Sequence, residues 1–128
     1  MKPEARIVER VLTQDEFDAF AKLSGDDNPI HVDPDFSART RFGRTVSHGM
    51  LLVTVLRGLV EELVPGACQV SQQLMFPAPT FAGEPMRFAA ATRSDDGRRV
   101  VVELSCERID DGTITCAGEA TLWRKGSA

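Results

Sequence analysis

The stretch over residues 48–64 constrains this chain more than any other. Met50, Leu51, Leu52, Val53, Val55, Leu56, Leu59, Val60 and Leu63 are apolar around most of a helical circumference, whereas a surface helix carries a single stripe. A helix of this kind must be covered on several sides. Ser47 is placed to cap its start, and Pro65 and Gly66 to stop it. Arg57, Glu61 and Glu62 interrupt the apolar run, which falls short of the roughly 20 residues of a membrane span. It reads as a buried helix.

The cover has to come from the rest of the chain. After Ala67 there is no helical pattern, only strand-like segments at 68–76, 85–94, 98–109 and 113–124. Turn signals separate them at Pro77 to Pro79, at Gly83, at Asp96-Gly97 and at Asp111-Gly112. The last two suit tight hairpins and predict an antiparallel meander. Before the long helix, residues 5–12 read as a strand with one polar face. Thr13 and Glu16 form a capping box that opens a helix over 14–23, and Asp33 with Pro34 starts a short helix through Ala38. The expected class is α+β, an antiparallel sheet curled around one long helix. At 128 residues this is one domain, with residues 125–128 expected to fray.

Composition removes several functions. The net charge of -4, with no run of Lys and Arg, leaves no footprint for nucleic acid or an anionic membrane. Tyrosine is absent, so stacking on single strands lacks its usual material. Cys68, Cys106 and Cys116 form no CxxC pair and leave one over, against a disulfide framework or zinc ribbon; their spacing suits small buried residues in strands. Charges in the first ten residues occupy the place of a signal's apolar segment, so the expected location is the cytoplasm.

Chemistry concentrates between Phe20 and Gly49. SGDDNPIH, from Ser24 to His31, sets a carboxylate and an imidazole among turn-formers, and SHGM, from Ser47 to Met50, opens the long helix. Gly25 and Pro29 stop regular structure, so Asp26, Asp27, Asn28 and His31 sit on a constrained loop. By composition alone these are ordinary turn residues. Asp27 and Asp33 suit solvent exposure and helix capping. His48, at a helix start, suits a structural imidazole that caps or bonds to the neighbouring loop. Asp26, His31, Asp33 and His48 could be drawn together around a metal, but no ligand pair at helical spacing such as HExxH is present. No metal is expected.

The run FAKLSGDDNPIHVD, followed by FG and then SHGMLL, resembles the signature of the (R)-specific enoyl-CoA hydratases, the MaoC-like hydratase and dehydratase family with the hot-dog fold. The resemblance implies a catalytic pair at Asp26 and His31, with Asn28 and Pro29 shaping the loop between them. It implies that Gly49 offers its backbone N–H to a thioester carbonyl, and that residues 26–42 form an overhang. It further implies a homodimer with joined sheets and an acyl-CoA or acyl-carrier-protein thioester as substrate. Coenzyme A would then be part of the substrate, with no separate cofactor. Hydration of a 2-enoyl thioester needs a base for water, an acid for the α-carbon and a donor for the enolate-like oxygen. A carboxylate and an imidazole converging on one water supply the first two. Unpaired N–H groups at a helix start supply the third, and a glycine lets the thioester come close.

Three other readings share this fold. One is the reverse dehydration on a carrier protein; another is a non-catalytic acyl-thioester binder, against which Asp26 and His31 together argue. The third is a thioesterase, whose acidic residue on the long helix has no clear counterpart, Glu61 and Glu62 lying near the far end. Arg57 departs from the pattern: a cation mid-helix where the resemblance leads one to expect a small or polar residue. Either its stem packs and its head pairs with Glu61, four residues on, or it lines the acyl pocket and recognises a polar acyl group.

Overall fold

The computed structural model describes residues 4–126; the expected fraying of 125–128 lies partly outside them. Among the described residues, nine elements follow one another: β1 (Ala5–Val11), α1 (Gln14–Ser24), α2 (Pro29–Val32), α3 (Pro34–Ala38), α4 (Gly49–Leu63), β2 (Cys68–Met75), β3 (Pro85–Asp95), β4 (Arg99–Arg108) and β5 (Ile114–Trp123). The strands make one antiparallel sheet in the order β1-β3-β4-β5-β2.

Strand alternation decides which face of the sheet meets α4. Met86, Phe88 and Ala90 on β3, Val100, Val102, Leu104 and Cys106 on β4, and Cys116, Ala120 and Leu122 on β5 are buried in one cluster with Leu52, Leu56, Leu59, Val60 and Leu63 of α4. Leu12 and Phe17 close the end of that cluster. Register shifts between Gln69 and Ser71, Thr92 and Ser94, and Cys106 and Glu107 mark bulges. Each bulge bends its strand and adds twist, which curls the sheet around the helix. This is the hot-dog fold.

Four sequence expectations need correcting. The meander holds for β3, β4 and β5 only: β2 lies at the far edge beside β5, and β1 takes the place next to β3. The 24–31 loop holds an additional one-turn helix, α2, because Asn28 Oδ1 accepts from Ile30 N at 3.0 Å and Pro29 occupies the first helical position. Ser47 does not cap α4: its hydroxyl bonds the His48 carbonyl at 2.9 Å, His48 is the N-cap, and no side chain caps the helix. Finally, Cys68 is exposed at the start of edge strand β2, while Cys106 and Cys116 are buried opposite one another. The neighbouring Cys116 thiol, with burial, holds the Cys106 thiol well above the usual thiol range.

The cap predicted for α1 forms. The Thr13 and Glu16 capping box opens α1, and Gly25, left-handed at φ 83°, closes it. At the β3–β4 hairpin, Arg124 beside Asp95, together with the Gly97 backbone N–H, holds the Asp95 carboxyl below the usual carboxylate range. A folded-state value below the unfolded one means stability present at neutral pH and lost as pH falls from about 4 through the depressed value. Asp95→Asn is therefore expected to lower the melting temperature at pH 7, with the difference from the native protein closing toward pH 2. Melting curves across that range check it.

Candidate active site

Gly25 turns the chain out of α1 so that Asp26 follows at once on the loop, its N–H bonded to the Ser24 hydroxyl at 3.1 Å. Asp26 Oδ1 accepts from Asn28 N at 3.4 Å, a loose Asx turn. Asn28 and Pro29 then start α2, whose single turn carries His31. Asn28 and Pro29 thus lie between the two, at the start of α2.

Three contacts hold α2 in place. Val46 N–H bonds the Ile30 carbonyl at 3.0 Å, Gln14 Nε2 bonds the His31 carbonyl at 2.8 Å, and the buried Ser37 hydroxyl bonds the Ile30 carbonyl at 3.2 Å. The His31 ring is oriented by its Nδ1, 2.7 Å from the Val46 carbonyl oxygen. A carbonyl only accepts, so Nδ1 carries the proton of the neutral ring and Nε2 keeps its lone pair. That nitrogen faces Asp26 Oδ2 at 3.7 Å. The separation exceeds a hydrogen bond, and one water can touch both groups. The Asp26 side chain is 57 % exposed and that of His31 14 %, so the pair opens to solvent on the carboxylate side.

Gly49 is the first residue of α4, next in sequence to His48, whose ring stacks on His31 at 3.9 Å between centroids. The uncapped end of α4 therefore lies beside the pair. A Cβ on Gly49 would sit 3.0–3.4 Å from three ring carbons of Phe76, so glycine is what lets that ring close over the helix start. Arg57 stands eight residues on, about 12 Å along the axis. It meets Glu61 at 3.8 Å, one of the two arrangements the sequence left open, yet its Nη1 is buried with no partner among the described residues.

The remaining acids take bland roles. Asp27 is exposed, and Asp33 Oδ1 caps α3 by accepting from Phe36 N at 3.0 Å. Ligand-type atoms of Asp26, His31 and His48 lie within 4.8 Å of one another, but the two rings stack face to face at 22°, and one nitrogen of each is engaged by a backbone carbonyl. Sequence reasoning missed Val46, Gln14, Ser37 and Phe76. The first acts through its backbone carbonyl, which no side-chain motif records, and the others act across distances in sequence that no local pattern spans.

The family model described as MaoC like domain matches residues 1–117. The chain belongs to the MaoC-like family. Among MaoC-like relatives, it is 45 % identical over 107 residues to the (R)-specific enoyl-CoA hydratase of Aeromonas caviae, covering 81 % of this chain and 80 % of that one. It is 30 % identical over 116 residues to the mitochondrial 3-hydroxyacyl-(acyl-carrier-protein) dehydratase of Arabidopsis thaliana, covering 88 % and 70 %. In structural superposition it matches the (R)-hydratase from A. caviae involved in PHA biosynthesis with a TM-score of 0.89 and 28 % identity, covering 98 % of this chain and 97 % of that one.

Proposed function

We propose that this MaoC-like chain, acting as one domain, reversibly hydrates trans-2-enoyl-CoA thioesters to (R)-3-hydroxyacyl-CoA. The observation that carries this reading is the 3.7 Å gap between Asp26 and His31, with the lone pair of His31 Nε2 turned into it. A water held there loses a proton to the pair as its oxygen bonds the β-carbon, and the pair returns a proton to the α-carbon. The two groups share one water and act as a unit. The negative charge that builds on the thioester oxygen is met by the Gly49 N–H at the uncapped start of α4, with the positive end of the helix dipole behind it. No step calls for a metal or a redox cofactor.

Two copies of the chain join through β2. Among the described residues that strand pairs with β5 alone, and Val70, Met75 and the following Phe76 leave apolar side chains exposed at this edge. No described helix is long and apolar enough to cross a membrane, and the cytoplasm is the proposed location. The thioesterase reading loses its acid: Glu61 accepts from Gly66 N at 2.6 Å and pairs with Arg57, at the far end of α4. Dehydration of a carrier-protein thioester stands as the second reading, because dehydratases of that kind share 30 % identity with this chain.

Loss of the conjugated enoyl-thioester absorbance on adding crotonyl-CoA tests the proposal, beside crotonyl groups on a carrier protein. Turnover on coenzyme A supports the first reading. Turnover on the carrier protein alone supports the second, and inertness on both removes each. Arg57 enters the same assay. Lining the acyl pocket, it disfavours plain hydrocarbon tails, so Arg57→Ser is expected to raise turnover of longer saturated enoyl-CoA substrates by about tenfold. Ready turnover of those tails by the native protein would sink that role.

A further inference from the structure

We infer that His48 is a positioning residue that holds Asp26 and His31 beyond direct hydrogen-bonding distance, so that one water can touch both; this rests on the hydratase reading. The His48 ring is buried, 2 % exposed, and touches both members of the pair. Its Nε2 lies 2.8 Å from the Asp26 carbonyl oxygen, so this nitrogen is the donor and carries the ring's proton. Its face stacks on His31 at 3.9 Å and 22°. From the other side, the Phe20 ring abuts it at 4.9 Å and 62°.

An unrestrained carboxylate and imidazole close to about 2.7–2.9 Å, which leaves no room for water between them. Here they stand 3.7 Å apart. His31 cannot advance, because its Nδ1 is tied to Val46 and its ring face lies against His48. The Asp26 backbone, which places its carboxylate, is tied through its carbonyl to His48 Nε2. His48 therefore contacts both sides of the gap, and the Val46 carbonyl holds the His31 side with it. Packing alone does not account for an imidazole here. His48 Nδ1 is buried without a hydrogen-bond partner, a loss that a phenyl ring in the same place would avoid. What imidazole adds is a donor for Asp26 together with a flat face for His31.

The chain has two histidines, so its imidazole nitrogen NMR spectrum contains two rings, and His48→Gln assigns them. The expected spectrum of the native protein shows His31 protonated on Nδ1 and His48 on Nε2; the opposite tautomer at His48 overturns the inference. In kinetics, His48→Leu is expected to lower kcat on crotonyl-CoA by about 100-fold while KM stays within about twofold. His48→Phe, which keeps the ring, and His48→Gln, which keeps a donor, are each expected to recover part of that loss. A purely structural role would lower the melting temperature and leave kcat of the folded protein unchanged, which also overturns the inference. In a crystal structure of His48→Leu, the distance from Asp26 to His31 is expected to fall to hydrogen-bonding length, and an unchanged gap refutes the spacing role. Should the native protein be inert on crotonyl-CoA, the hydratase reading fails by that result, while the tautomers and the gap still decide the role of His48.

Discussion

Asp26→Asn and His31→Ala are each expected to lower kcat/KM on crotonyl-CoA by about 10²- to 10⁴-fold, the range that a positioned acid or base contributes. The asparagine keeps an oxygen for the Asn28 N–H, and the Asp26 side chain is mostly exposed, so the loop survives the exchange and only the proton acceptor is lost. The histidine change costs more in structure. It removes the Nδ1–H that satisfies the Val46 carbonyl and the ring that His48 stacks upon, a loss of about 1–3 kcal/mol. Melting temperatures taken beside initial rates separate the two effects. Because both groups act through one water, the double variant is expected to be no worse than the poorer single one. Additive losses would mean that they serve separate steps. Activity surviving in both variants would place the site elsewhere.

Gly118→Ala is expected to be the most destabilising of the glycine-to-alanine exchanges among the described residues. Gly118 lies on β5, in register with Leu74 of β2 on one side and Leu104 of β4 on the other. A Cβ there would overlap the Gln73 carbonyl oxygen, and it would approach Gln73 C and Leu74 Cα to 2.9 Å. All three atoms are backbone, so no rotamer change relieves the clash, and β2 must part from β5. The expected cost is about 3 kcal/mol, or a drop of about 10 °C in melting temperature. Gly58→Ala is the matched control. It stands inside α4 with open space around its Cβ, and there alanine is expected to stabilise by about 0.5–1 kcal/mol. Urea denaturation of the two variants checks the contrast, and equal stabilities would refute the close approach of β2 to β5. Since the proposed dimer forms along β2, Gly118→Ala is also expected to shift the protein toward monomer by size-exclusion chromatography.

Much of this was legible in the residues because the interactions concerned are local. The capping box at Thr13 and Glu16 closes over three residues, the hairpins at Asp96-Gly97 and Asp111-Gly112 over a few more, and alternation along β3 and β4 repeats every second residue. The candidate pair was legible for a similar reason. Asp26 and His31 are five residues apart, joined by Asn28 and Pro29, whose turn geometry brings them face to face.

The placement of β2 illustrates what was not legible. Nothing in CQVSQQLM distinguishes a neighbour of β3 from a neighbour of β5; the close approach that Gly118 permits exists only once both strands are in place. His48 is a similar case. The sequence marked it as a structural imidazole at a helix start, but its hold on Asp26 and its stack on His31 join residues 22 and 17 positions apart. By itself, then, the sequence determined most of the elements and the apolar helix at the centre, and it offered the candidate pair. The order of strands at the sheet edges, the 3.7 Å gap and the protonated nitrogen of each imidazole were decided only in the tertiary structure. The physical reason is that propensity, capping and turn chemistry act over a few residues, while strand partners and the hydrogen bonds of a site are selected by surfaces that face each other only after the chain has folded.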